Sequence, residues 1–541
     1  MENPCRPSAL RPWVFVRPKE LNMAPSKKPE QKTGTFFPVD PKGERSTTYT
    51  GKEAIAAALR GAGEPSTADS IAKVREHFHA AQMHRVSHLS PHAHQLTPDD
   101  GSTKDHASPA ASWPQVSNAK WRFGYNNHYM SLVRASCGSP EAALGSAKAG
   151  LAWMYDNFEH VDAEGSAPRK FKDMLAAEKG SYTTGVVKGA PKAKGSLPFV
   201  VPYDGGWSPS RAQPPPMPRS GKTGDAIKAL AGKWVGNGII EPDAGVALNW
   251  TVDYFDSGKN LNDCYFVLIG AGSAMGPCSK LLEMGGNVVA IDIPGKWGER
   301  AAATWTRLFG LAAASPGGSL IYPIDPANAA LDPAERTAGA DLMAEPGKIA
   351  NWLVQWQSTL PKGAKVCVGN YTYLDGDLHV KLALCADACI AALQKARPET
   401  AVAFLCTPTD IHACTRASHS AAKVAAAFWH KGWAFEAFVK LASLGKWLVP
   451  NALKPVPTQG GSEPLFLVDG LSVAQGPNYA LAKRMQVRRF EHAFTHPPSR
   501  APAPHLLTPG LGCTLACFGH TSRIAGSTGA PWWPSRRVAG P

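Results

Sequence analysis

Eleven residues, VLIGAGSAMGP from Val267 to Pro277, carry the first chemical signal in this sequence. An apolar run ends at Ile269 and breaks into Gly270, Gly272 and Gly276. Glycine at 270 and 272 lets a backbone bend sharply and approach a pyrophosphate, and glycine at 276 lets the following helix pack on the strand. Amides at the start of that helix would then face an anion. Asp292 lies 22 residues past Gly270, at the end of NVVAID. A carboxylate there can bind the ribose hydroxyls of an adenine dinucleotide. The order strand, glycine triplet, helix, strand and terminal Asp points to a dinucleotide site, the plain alternative being a tight turn between core elements. Far downstream, NYALAKRMQ holds Tyr479 and Lys483 four positions apart. On a helix that spacing sets an ammonium beside a phenol.

The elements that must position these residues follow from pattern. From Tyr265 onward, short β-rich runs alternate with helical ones: CYFVLIG, MGPCSKLLEMG and NVVAIDI. A helix around IANWLVQWQSTL, a strand KVCVG, a helix LALCADACIAALQKA and a strand AVAFLC come next. This alternation predicts parallel βαβ units in a doubly wound α/β sheet over 256–496. Upstream, 116–255 reads as mainly helical: SPEAALGSAKAGLAWMYDNFEHV opens on Ser-Pro-Glu with apolar residues at helical spacing, and GDAIKALAGKWV is similar. Between them YDGGWSPSRAQPPPMPRSGKTGD is a linker or loop. Residues 1–115 are polar and short of periodicity, so they are expected to be largely disordered, interrupted by islands such as GKEAIAAALRGA. The segment 497–541, with eight prolines and Trp532–Trp533, reads as a disordered tail or as a departure from the true reading frame. Met23 is an alternative start.

Composition narrows the classes. The chain has 541 residues, 44% hydrophobic, enough for a core and several domains. The net charge of +14 comes from scattered basic residues, and seven arginines against one acidic residue lie from Arg484 to the end. Without a compact basic block, nucleic-acid binding is not expected. Eleven cysteines without regular spacing suit reduced thiols. Cys385 and Cys389 share a helix face but lack partner ligands, so buried thiols are expected and no metal site. The histidines at 77, 79, 84, 88, 92 and 94 lack a Cys or carboxylate pattern and read as a solvated, low-complexity segment. No apolar run has the length of a membrane span. A cytoplasmic location is expected, with an organelle-targeting extension left open.

Over about 265–515 the chain resembles the short-chain dehydrogenase/reductases, a family with a Rossmann-like sheet. GAGSAMG at 270–276 resembles that family's GAGSGIG turn, with Ala274 in place of a glycine and Ile269 in place of Thr. VCVGNYTY keeps only Asn370 of the family's strand ending in VNNAG. AVAFLCTPTD resembles the fifth strand, so Thr407 or Thr409 would replace the family's catalytic Ser. Tyr479-x-x-x-Lys483 matches the catalytic pair, and PGLGCT at 509–514 resembles a later Pro-Gly-x-x-x-Thr. The departures are a separation of 70 residues between Thr409 and Tyr479, read as a helical insertion over about 415–470, and a helix at 382–395 without the family's Asn.

The resemblance implies an NAD(P)-dependent oxidoreductase acting on a small-molecule or acyl-type carbonyl. Gly270, Gly272, Ser273, Met275, Gly276, Asp292 and Asn370 would bind the cofactor. Tyr479, Lys483 and Thr409 or Thr407 would be catalytic, with Tyr479 as the acid or base and Lys483 favouring its phenolate. Asp292 favours NAD, while Lys296 and Arg300 keep NADP open. A homo-oligomer is compatible with all of this. The alternative is a nucleotide-binding sensor or scaffold without catalysis on the same sheet.

Overall fold

The computed structural model describes residues 31–72, 121–190, 201–202, 221–237, 240, 242–405, 407, 409–416, 419–420, 441, 451–458, 464–471 and 475–493. Its strands are Gly34–Phe36 (β1), Glu159–Val161 (β2), Arg169–Lys170 (β3), Thr183–Lys188 (β4), Val201–Pro202 (β5), Gly221–Lys222 (β6), Cys264–Ile269 (β7), Asn287–Ile291 (β8), Ser319–Ile324 (β9), Lys365–Asn370 (β10), Ala401–Phe404 (β11), Ile411–Cys414 (β12) and Phe466–Asp469 (β13). The helices are Thr47–Gly61 (α1), Pro65–Ala72 (α2), Trp121–Ser136 (α3), Pro140–Asn157 (α4), Phe171–Ala177 (α5), Asp225–Gly236 (α6), Pro242–Asp256 (α7), Cys278–Glu283 (α8), Glu299–Ala313 (α9), Pro346–Ser358 (α10), Asp377–Ala396 (α11) and Pro477–Ala493 (α12).

Six strands form the main sheet in the order β11-β10-β7-β8-β9-β4. Five are parallel, and β4 closes one edge antiparallel to β9. From β7 the chain steps outward to β8 and β9, then crosses back to place β10 on the other side of β7. The strand order therefore reverses between β7 and β10, a topological switch point.

The apolar runs of β7 and β8 are continuous because both faces of the sheet are covered. Val267, Ile269, Val289 and Ile291 pack with Trp352 and Leu353 of α10 and Leu384 of α11. Phe266, Leu268, Val288 and Ala290 face the opposite way, against Leu282 of α8 and Trp305 and Leu308 of α9. The period-two alternation of the strands thus divides one sequence run between two cores.

Several sequence expectations change here. The helix-like island GKEAIAAALRGA falls on α1, but this part of the expected disordered region is core: α1 buries Ala54, Ile55, Ala58 and Leu59 completely and joins the larger cluster. Small side chains explain why its hydropathy hides this: Gly61 of α1 meets Gly145 of α4 so closely that a Cβ on either would lie within 2.1 Å of the other's carbonyl oxygen. The region 116–255 is not only helical, since β4 completes an edge of the main sheet. The inserted segment opens and closes as β-structure: β12 and β13 pair antiparallel, Ile411 opposite Asp469, and Ala452 and Val456 bridge to Val468 and Leu465. Most of 415–465, the histidines at 77–94 and the whole of 497–541 lie outside the described residues.

Candidate functional site

The glycine turn joins β7 to α8, and its bonding is directed inward. Gly270 has φ +86°, and a Cβ there would lie 3.1 Å from the carbonyl of Tyr371, so glycine is needed for backbone contact with the β10–α11 loop. The Gly270 and Ala271 amides both donate to the Ile291 carbonyl, at 2.8 and 3.2 Å. Gly272 donates to Asp292 Oδ2 at 2.6 Å, and Ser273 and Gly276 close successive turns through the carbonyls of Gly270 and Ser273. Met275 donates to Ser273 Oγ at 3.3 Å, the longest contact of the group. Among the described residues, the Ala274 amide alone of these seven lacks a protein acceptor.

This corrects the expectation of a helix of about ten residues whose first amides grip a phosphate. The helix is Cys278–Glu283, six residues. Pro277 at its N-cap has no N–H to offer, and Gly285 and Gly286 end it by donating to Leu282 and Leu281. What remains for an anion is the exposed tip, with the free Ala274 amide and the weakly held Met275 amide, whose side chain is 73% exposed.

Asp292 does stand at the carboxyl end of β8, as expected. Its Oδ1 accepts from the Ile293 amide at 2.9 Å while Oδ2 takes Gly272. Burial raises its pKa, and the two amides together with Arg307 oppose that rise. Two oxygens offer about four acceptor positions, so about two stay free for hydroxyl donors. Ile293, the next residue, and Trp297, five positions on, are both exposed. Lys296 is turned to Asn328 Oδ1 at 3.2 Å. Arg307, which no motif singled out, donates to the Gly272 carbonyl at 3.1 Å.

The second half of the site lies beyond β10. Asn370 is buried, and its Oδ1 accepts from the Thr372 amide at 3.1 Å and the Thr372 hydroxyl at 2.7 Å. It shapes the loop through these two bonds and also lines a small cavity with Asp387, Gln486 and Arg489. Three residues on, Tyr373 packs edge-on against Tyr479 with ring centroids 6.3 Å apart. Tyr479 occupies the first turn of α12, the helix that follows β11 and the insertion. Lys483, one turn later, lies 5.9 Å from the Tyr479 ring centroid, buried and donating to the Leu405 carbonyl at 3.1 Å and to Gln486 Oε1 at 3.3 Å. Leu405 follows β11 directly, so the ammonium is anchored at the carboxyl edge of the sheet.

Thr407 and Thr409, also past β11, hydrogen-bond to each other at 2.7 Å. Neither bonds to Tyr479 among the described residues. His379, at the first turn of α11, touches both Tyr373 and Tyr479, at centroid distances of 5.1 and 5.5 Å. No sequence pattern marked it.

Other candidate chemistry is absent from this part of the chain. Among the described residues no three His, Cys, Asp or Glu side chains gather to hold a metal ion. Cys385 is buried, its thiol pushed up to about 12 by burial, and it meets the Thr35 hydroxyl at 3.2 Å. Cys389 is raised by burial as well. These are packing thiols, since a thiolate is what reacts. No helix among the described residues is long and apolar enough to cross a membrane. Comparison with protein-family models, with curated proteins and with solved structures finds no match.

Proposed function

We propose that the chain is an NAD(P)-dependent oxidoreductase of the short-chain type, interconverting a carbonyl and an alcohol on a Rossmann-like sheet. The observation that carries this reading is the contact of Tyr479 with Tyr373 on the loop that also abuts the glycine turn, with Lys483 one helical turn further on. Gly270 touches Tyr371, and Tyr373, two residues later, packs on Tyr479. Counted along the chain, the parallel strands lie in the order 3-2-1-4-5, whose switch point is where α/β sheets hold nucleotides.

Asp292 would hold the adenosine ribose through its remaining acceptor positions, with Ile293 and Trp297 offering apolar surface to the base. The tip of the turn, at Ala274 and Met275, would meet a phosphate. A bound nicotinamide supplies or accepts the hydride. Tyr479 gives its phenolic proton to the substrate oxygen in reduction and takes it back in oxidation. Lys483 stabilises the phenolate by its charge, and the Leu405 carbonyl and Gln486 keep the ammonium in place. Thr407 or Thr409 would steady the substrate oxygen.

The same sheet and Asp292 also suit a second reading, a nucleotide-binding sensor or scaffold without turnover, and the inward bonding of the turn amides weighs on phosphate binding in both. Titration of the full chain with NADH and NADPH, followed by fluorescence, separates the two when combined with a Tyr479→Phe variant. The oxidoreductase reading expects unchanged binding in the variant and a fall in carbonyl reduction of about 10²–10⁴-fold. Tight binding with no turnover over a broad carbonyl panel leaves the scaffold. Absence of binding removes both.

A further inference from the structure

His379 is 1% exposed, and neither ring nitrogen has a hydrogen-bond partner among the described residues. A neutral imidazole carries one donor and one acceptor, and buried polar groups in native proteins are nearly always paired. An unmet group of this kind is destabilising, so its retention calls for a purpose outside the fold's own contacts. Burial, and then the ammonium of Lys483, hold the ring uncharged, its pKa pushed down to about 4, with Asp375 acting weakly the other way.

Position separates His379 from the other unpaired groups. Its ring forms a three-ring cluster with Tyr373 and Tyr479, which also touch each other. Tyr373 is 57% exposed, and its hydroxyl is held by Asp375, two residues away, at 2.9 Å. It covers His379 from the solvent side through a single local bond, and Leu374 beside it is also exposed. A molecule reaching Tyr479 past the exposed Tyr373 would displace that ring and meet the imidazole next.

We propose that His379 is the specificity anchor of the substrate pocket, receiving a second, uncharged polar group of a ligand whose carbonyl oxygen sits at Tyr479. The proposal rests on the oxidoreductase reading and adds a substrate class to it. The preferred substrates carry a hydroxyl or keto group close to the reacting carbon, and simple ketones lack the group His379 awaits. An imidazole of this kind both donates to a carbonyl and accepts from a hydroxyl, so hydroxyketones and diketones both qualify.

The test uses the full chain and a His379→Phe variant, which keeps a flat ring and removes both nitrogens. Without ligand the variant should melt at the same temperature as the wild type or higher, because two unmet groups are gone. A drop of several degrees would mean that the nitrogens already serve the fold, and the proposal falls. With NADH or NADPH, reduction of diacetyl and acetoin is compared with that of 2-butanone. The variant should lose about tenfold or more in kcat/KM on the first two and stay within about twofold on the third. Equal losses on all three overturn the assignment.

If the wild type reduces none of them, the oxidoreductase reading has failed, and the anchor is judged separately. Long-range ¹H–¹⁵N spectra, with His379→Phe identifying the signal, then report whether acetoin alone moves the His379 nitrogens. Movement supports the anchor without catalysis, and unmoved nitrogens overturn it.

Discussion

The carboxylate of Asp292 accepts the Gly272 amide at 2.6 Å, tying the turn after β7 to the end of β8. Asp292→Ala would strip acceptors from the Gly272 and Ile293 amides. We expect a loss of about 1–3 kcal/mol in unfolding free energy, and about tenfold weaker NADH binding. Asp292→Asn keeps one acceptor oxygen and should lose less stability. Urea unfolding and fluorescence titration on both variants check the ranking.

Gly61 and Gly145 bring the backbones of α1 and α4 into direct contact. A Cβ at Gly145 would lie 2.0 Å from the Gly61 carbonyl oxygen. Gly145→Ala must therefore force α1 from α4 and should cost about 1–3 kcal/mol or more. Gly232 on α6 is the control: nothing lies within 4 Å of its added Cβ. Gly232→Ala should stabilise by about 0.4–1 kcal/mol. The same urea experiment reads both.

Asp387 and Arg489 form a buried, two-bonded ion pair at 2.7 and 2.6 Å, and the Tyr155 hydroxyl donates to Asp387 at 2.7 Å. It joins α11, α12 and α4. Asp387→Ala strands the guanidinium and should cost about 3–5 kcal/mol. The double variant Asp387→Leu with Arg489→Met should regain much of that, because no buried charge remains. If the two single losses simply add in the double variant, the pair is not coupled as described.

Acid should weaken the fold through its buried histidines. Burial pushes the pKa values of His128 and His379 from the ordinary 6.5 to about 4, Lys52 and Lys483 adding to the effect, and lowers that of His160. The unfolded chain then binds more protons between those values. Stability is complete above about pH 6.5 and falls as pH drops towards about 4, by up to roughly 3 kcal/mol for each fully buried ring. Asp292 and Asp341, whose pKa values are raised by burial, oppose the trend, since protonation favours their folded state. Denaturation midpoints between pH 4.5 and 7.5 should therefore rise with pH, less steeply in His379→Phe.

How much of this was legible depended on where the signal lies. β7 and β8 show themselves as unbroken apolar runs, and Asp292 follows from its place at a strand end. SLIYPI, which becomes β9, escapes notice because Pro323 interrupts it and glycine, serine and proline flank it. TTGVVK, which becomes β4, pairs with β9 across 130 residues of intervening sequence, which no local pattern reveals. Tyr479 and Lys483 are visible because one helix carries both. His379 is invisible because its meaning comes from two other segments, one holding Tyr373 and the other Tyr479. The glycine spacing marks a tight turn after β7, but Pro277 deprives the helix start of a donor, and the turn's own bonds leave only the Ala274 amide without a protein acceptor among the described residues.

The two stems of the segment beyond β11 are hydrogen-bonded neighbours, Ile411 across from Asp469 and Cys414 from Phe466. Whatever is threaded between them departs and returns at one spot, like beads hung from a clasp. Because its two ends already meet, a change in the length of that cargo costs little in loop-closure entropy and leaves the order of the strands beneath it untouched.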